Sequence, residues 1–143
     1  TMKILILNGP NLNLLGKRQP EIYGNVSFDD YFTRLQMEFP QHELVYFQSN
    51  HEGALIDFLQ ENSTGAQGLL INAGGLTHTS VSVADAVANL PFPSIEVHIS
   101  NIFARESFRH HSYLSPVCKG LVCGLGLTGY SLAISSLSQS HSS

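Results

Sequence analysis

The chain has 143 residues, 43% of them hydrophobic and 13% charged, with a net charge of −4. That length suits one domain with a buried core, and 1–143 is expected to be a single domain. The charge leaves no basic footprint for nucleic acid or an anionic membrane, and no apolar run reaches the roughly 18 residues of a spanning helix. The N-terminus enters a strand directly, so no signal peptide is expected. Cys118 and Cys123 form no CxxC motif and read as thiols of a reducing, cytoplasmic setting.

The first strand, 3–8, is a nearly unbroken apolar run. A long loop over 9–24 follows. Loops of that length inside a compact domain usually bind a ligand or cover a site. This one holds Arg18 and Tyr23. A phenol with an ordinary pKa of about 10 needs a nearby guanidinium and a shielded pocket to act as a base at neutral pH. A surface loop with an unrelated Arg and Tyr is the alternative.

Ser27 caps a predicted helix over 28–38, with Asp29 and Asp30 in its first turn and an apolar stripe of Phe28, Tyr31, Phe32, Leu35 and Phe39. Pro40 closes it. A second strand covers 43–48. Ser49 or Asn50 then caps a helix reaching about Asn62. The third strand, 68–72, is short and apolar, as in a parallel sheet covered on both faces. Thr79 or Ser80 starts a helix to about Leu90. The fourth strand is 94–99, the fifth 121–124, and a last helix spans 126–137. The Ser-rich tail 138–143 is expected to fray.

This alternation predicts an α/β fold: a three-layer, flavodoxin-like, doubly wound sheet of five parallel strands in the order 2-1-3-4-5. Ligands bind such sheets at the carboxyl ends of the strands, where the order reverses between strands one and three. The loops after Asn8 and Asn72 meet there.

Three constellations fall near that point. The loop 73–80, with Gly74 and Gly75, lets backbone amides approach a ligand; it matches neither a Walker motif nor GxGxxG. Glu96 and His98 are two apart on a strand, so their side chains share a face. A carboxylate there fixes the imidazole tautomer and suits a general acid, although a structural Glu–His bond is equally compatible. Arg109, in a donor-rich stretch with Arg105, His110 and His111, has the forked geometry that clamps a carboxylate. Adjacent histidines diverge on regular structure, so no metal site is expected. His42, His51 and His141 sit in surface-like contexts.

Taken together, these segments resemble the type II 3-dehydroquinate dehydratases (type II dehydroquinases). The carriers are Ile6-Leu-Asn-Gly-Pro-Asn-Leu-Asn-Leu-Leu-Gly16, Arg18, Pro20-Glu-Ile-Tyr-Gly24, Asn72, Thr77-His-Thr-Ser80, Glu96-Val-His-Ile-Ser-Asn101 and Ala104-Arg-Glu-Ser-Phe-Arg-His-His-Ser-Tyr113. The resemblance spans about 3–137. It implies a lyase that dehydrates 3-dehydroquinate to 3-dehydroshikimate by anti elimination through an enolate, in the shikimate pathway, with no metal, cofactor or Schiff base. Tyr23 matches the general base, Arg18 the cation beside it, His98 the general acid oriented by Glu96, and Asn72 the residue that holds the water or enolate oxygen. Asn11, His78, Ile99, Ser100 and Arg109 match substrate contacts. Asp85 matches a position that reaches a neighbouring subunit's site, and the implied assembly is a dodecamer built from trimers. The 9–24 loop becomes a lid that carries the base.

Two stretches depart from the family pattern. Asn72-Ala-Gly-Gly-Leu76 stands where Asn-Pro-Gly-Ala-Tyr/Phe is common, which is expected to loosen that loop. Ile102-Phe103 stands where Ile-His or Ile-Tyr is frequent. The rival readings are a non-catalytic flavodoxin-like module for a nucleotide or flavin, and metal-dependent hydrolysis through Glu96, His98 and His110.

Overall fold

The computed structural model describes residues 1–17 and 26–142. Five parallel strands, β1 (Lys3–Asn8), β2 (Glu43–Gln48), β3 (Gly68–Asn72), β4 (Ser94–His98) and β5 (Gly120–Cys123), form one sheet in the order β2-β1-β3-β4-β5. Helices α1 (Phe28–Glu38), α2 (Glu52–Asn62), α3 (Val81–Ala88) and α4 (Thr128–Ser142) cover it. This is the predicted flavodoxin-like order.

Strand alternation divides the core in two. Ile4, Ile6, Leu70, Ile95 and Val97 pack with α1 and α4. Leu5, Leu7, Leu69 and Ile71 pack with α2 and α3. Ile4, Leu5, Ile6 and Leu7 are all fully buried, which explains why β1 reads as an apolar run rather than an alternating one. Each such side chain stabilises the fold by about 1.5–3 kcal/mol through burial. No helix among the described residues is long and apolar enough to cross a membrane.

At the carboxyl ends the apolar runs give way to amides. Gln48, Asn8 and Asn72 stand in register on adjacent strands β2, β1 and β3. Beyond them the two switch-point loops touch backbone to backbone. The Gly9 N–H donates to the Asn72 carbonyl at 2.7 Å. A Cβ on Gly9 would lie 2.4 Å from the Ala73 carbonyl oxygen. Gly74 adopts φ +60°, and a Cβ there would lie 2.9 Å from the Pro10 oxygen. Gly74 is therefore required by the approach of the opposing loop, besides any role toward a ligand.

Two element ends differ from expectation and one open choice is settled, each for a visible reason. Helix α2 is capped by His51 backbone, not by Ser49 or Asn50. The Ser49 hydroxyl accepts the His51 N–H, and Asn50 Oδ1 accepts the Asn11 N–H at 2.9 Å, so both side chains serve the loop instead. At α3 the choice falls on Ser80, whose Oγ accepts the Val83 N–H at 2.9 Å. The tail expected to fray is helical to Ser142. Ser138 is held by His42 and Ser140 by Lys119 Nζ at 2.9 Å. His42 is thus not a plain surface residue: its Nδ1 accepts the Met2 N–H at 3.1 Å while Nε2–H donates to Ser138 at 3.2 Å.

Candidate active site

A cavity of about 260 Å³ opens at the switch point. The β1 loop contributes Pro10, Asn11 and Leu12; the β3 loop contributes Asn72, Gly74, Gly75 and His78. The end of β4 contributes His98, Ile99 and Ser100, and the segment beyond it Arg105 and Arg109. Its charged lining side chains among the described residues are two arginines, with no carboxylate, so it suits a small anion.

His98 reaches this cavity from the α2/α3 face of the sheet. Its Nε2–H donates to Glu96 Oε2 at 2.6 Å, and both side chains are nearly fully buried. The Ser112 hydroxyl donates to the same oxygen at 2.9 Å, and the Ser115 hydroxyl donates to Oε1. Burial alone would push the Glu96 carboxyl up. The hydrogen bonds from His98, Ser115 and Ser112 outweigh it and hold the group below its ordinary value of 4.5. Glu96 is therefore a carboxylate at neutral pH and accepts from His98. With Nε2 so engaged, Nδ1 is the nitrogen His98 has left for a ligand.

His78 lies against His98, with ring centroids 6.3 Å apart and planes 16° from parallel. Its Nδ1–H donates to the His111 carbonyl at 2.8 Å. Burial lowers its pKa, and the charges of His98 and Arg109 add to that, against the pull of the His111 carbonyl. A neutral ring with Nδ1 protonated leaves Nε2 as an acceptor, fit for a ligand hydroxyl.

Asn72 comes from the opposite face. Its Oδ1 accepts the Gly74 N–H at 3.2 Å and its Nδ2 donates to the Tyr130 hydroxyl at 3.0 Å. Tyr130, on α4, donates in turn to Asn8 Oδ1 at 2.8 Å. Asn11 sits in the left-handed region at φ 72°, a conformation asparagine tolerates better than most residues. The Arg109 Nε–H donates to Glu106 Oε2 at 3.2 Å, and its guanidinium lies 5.0 Å over the Phe108 ring.

The structure thus brings Asn11, Asn72, His78, His98, Ile99, Ser100 and Arg109 to one cavity, with Glu96 behind His98. Asp85 lies apart, exposed on α3. Arg18 and Tyr23, and with them the expected lid, fall outside the described residues. Sequence reasoning missed Arg105 as a lining residue, although it shares the donor-rich stretch with Arg109. It also missed Ser112 and Ser115, whose approach to Glu96 depends on a loop path no spacing rule encodes. His110 does not join Glu96 and His98. Its Nε2–H donates to the Arg105 carbonyl at 3.1 Å, and no three metal-ligating side chains cluster among the described residues. Among the described residues the metal-hydrolysis reading finds no ligand set.

Fold and cavity together define a flavodoxin-like α/β protein with a buried Glu–His pair at an arginine-lined cavity suited to a small anion. The sequence profile of the family described as dehydroquinase class II matches residues 2–138. A relative from Azorhizobium caulinodans, named 3-dehydroquinate dehydratase, is 53% identical over 136 residues, covering 94% of this chain and 92% of its own. One of the same name from Janthinobacterium sp. (strain Marseille) is 54% identical over 135 residues, covering 92% and 93%. The crystal structure of a type II dehydroquinase from Butyrivibrio crossotus superposes with a TM-score of 0.93 at 46% identity, over 96% of this chain and 97% of that one. The chain belongs to the class II dehydroquinase family of enzymes. That membership sets aside the non-catalytic nucleotide or flavin module.

Proposed function

We propose that the protein, acting through 1–143 as one catalytic domain, dehydrates 3-dehydroquinate to 3-dehydroshikimate by anti elimination through an enolate. Neither a metal nor a Schiff base takes part. The observation that carries the reading is the Glu96–His98 pair at a cavity whose charged lining side chains are arginines. The relatives' shared name supplies the substrate.

The hydrogen on C2, beside the ketone, is weakly acidic, so its removal needs a strong base in a shielded pocket and donors for the enolate oxygen. Tyr23, paired with Arg18, takes that proton; this role rests on sequence position. Asn72 steadies the enolate oxygen, directly or through water. The electron pair then forms the C1–C2 double bond as the C1–O bond breaks, and His98 delivers the proton with which the hydroxyl leaves as water. Glu96 stabilises the imidazolium before that transfer. Arg109 clamps the substrate carboxylate, while Asn11, His78, Ile99 and Ser100 order the hydroxyls and carboxylate.

We further place the enzyme in the cytoplasm, where Cys118 and Cys123 stay thiols, and read it as a dodecamer built from trimers. In support, Val81 and Asp85 are i,i+4 neighbours on one exposed face of α3, and Val81, Phe103 and Phe108 leave more than half their surface open. A partner covering that face would meet Asp85.

The test is Tyr23→Phe. It is expected to lower kcat by a factor of about 10³ or more while the variant still binds 3-dehydroquinate in equilibrium titration. A variant turning over at near the parent rate would remove Tyr23 as the base.

A further inference from the structure

Asn72 is asked to present a donor to a developing oxyanion, yet an asparagine amide can turn over and present its oxygen instead. Two contacts oppose that. One is local: the Gly74 N–H on Asn72 Oδ1 at 3.2 Å. The other comes from α4, fifty-eight positions away in sequence, where the Tyr130 hydroxyl sits between two buried amides.

The direction of those bonds matters. A phenol has one proton to give. Tyr130 gives it to Asn8 Oδ1 at 2.8 Å, so toward Asn72 it acts as acceptor and takes an Nδ2–H at 3.0 Å. Asn8 cannot readily move: it is fully buried at the end of β1, in register with Asn72. Nor can the phenol ring, which Phe28 meets edge-on at 4.9 Å and Tyr31 at 6.3 Å. Burial pushes the Tyr130 hydroxyl well above its ordinary value, so it keeps its proton at neutral pH. The turn before α4 is tied to the same region. The Gly124 N–H donates to the His98 carbonyl at 3.1 Å and the Gly126 N–H to the Ile99 carbonyl at 3.0 Å.

We propose that Tyr130 is a positioning residue for the reaction: through the chain Asn8–Tyr130–Asn72 it fixes which end of the Asn72 amide faces the substrate. This rests on the dehydratase reading above. With one Nδ2 hydrogen held by Tyr130 and Oδ1 held by Gly74, the remaining Nδ2 hydrogen is the group Asn72 has for the enolate oxygen or its water. Ground-state binding draws little on it; the developing charge draws on it strongly.

The experiment compares the parent, Tyr130→Phe, Asn72→Ala and the double variant, each with its melting curve. Tyr130→Phe keeps the ring packing and loses only the hydroxyl. It is expected to lower kcat about tenfold, the effect of one lost buried hydrogen bond, with KM moving less than twofold. In the Asn72→Ala background the same substitution is expected to change kcat by less than twofold, because its route of action is gone. Asn8→Ala, which frees the Tyr130 proton to turn toward Asn72, is expected to lower kcat in the same way. A tenfold loss that persists in the Asn72→Ala background overturns the proposal, as does an unchanged kcat in a Tyr130→Phe enzyme whose parent is active. A parent inactive on 3-dehydroquinate overturns the reading beneath it instead, and the proposal falls with it. Should neither variant fold, neutron diffraction of the parent decides: the Tyr130 deuterium on Asn8 supports the proposal, and on Asn72 overturns it.

Discussion

At the level of single residues, the site works by restricting choice. Imidazole has two nitrogens and two tautomers; the Glu96 carboxylate removes one of each for His98. The carboxylate is itself fixed by two serine hydroxyls, so its geometry does not depend on solvent. His98→Ala is expected to lower kcat by about 10²–10⁴, the usual worth of a positioned general acid, with KM changed far less. Steady-state kinetics on the purified variant check this; a fall in kcat below tenfold would remove His98 as the acid. The Glu96–His98 pairing was legible from spacing alone, because residues two apart on a strand share a face. Ser112 and Ser115 were not, because a loop path brings them there. Tyr130 gave no signal at all: an aromatic on a helix with an apolar face reads as core, and its ring is core, but its buried hydroxyl bonds Asn8 and Asn72.

At the level of elements, the switch point depends on two loops approaching more closely than side chains allow. Gly9 meets the Ala73 carbonyl, and Gly74 meets Pro10. A methyl group at Gly9 would stand 2.4 Å from that carbonyl oxygen, which no rotamer change relieves. Gly9→Ala is expected to cost about 3 kcal/mol, or roughly 10 °C in melting temperature, and to displace the cavity wall. Gly53→Ala is the matched control. It sits in α2 with nothing within 4 Å of its Cβ, and is expected to stabilise by up to about 1 kcal/mol. Thermal melts of the two variants side by side check both signs. The strand order and the four α-helices were readable from apolar runs and caps. The start of α2 was not, because Ser49 and Asn50 have the right chemistry for caps and spend it on neighbouring loops. Local propensity names candidates, and tertiary partners choose among them.

At the level of the whole molecule, His42 joins the first strand to the last helix. The ring ties the start of β1, through Met2, to α4, through Ser138. With the Lys119 bond to Ser140, it gives the serine-rich end of that helix tertiary partners. Burial lowers the His42 pKa from 6.5, and the charge of His141 adds to the shift. A base depressed in the folded state binds its proton more readily when unfolded. The stability it lends is therefore full above about 6.5 and falls as pH drops below that value. His42→Gln, which cannot titrate, is expected to lose less melting temperature than the parent between pH 7.5 and 5.5. Equal losses in the two proteins would remove His42 from the pH response.

The proposed dehydration is read out by the rate at which enone absorbance develops when purified, folded protein meets 3-dehydroquinate. The expected result is a steady rise that proceeds at the same rate with a metal chelator present and after borohydride treatment. No rise, or a rise abolished by either reagent, would contradict it.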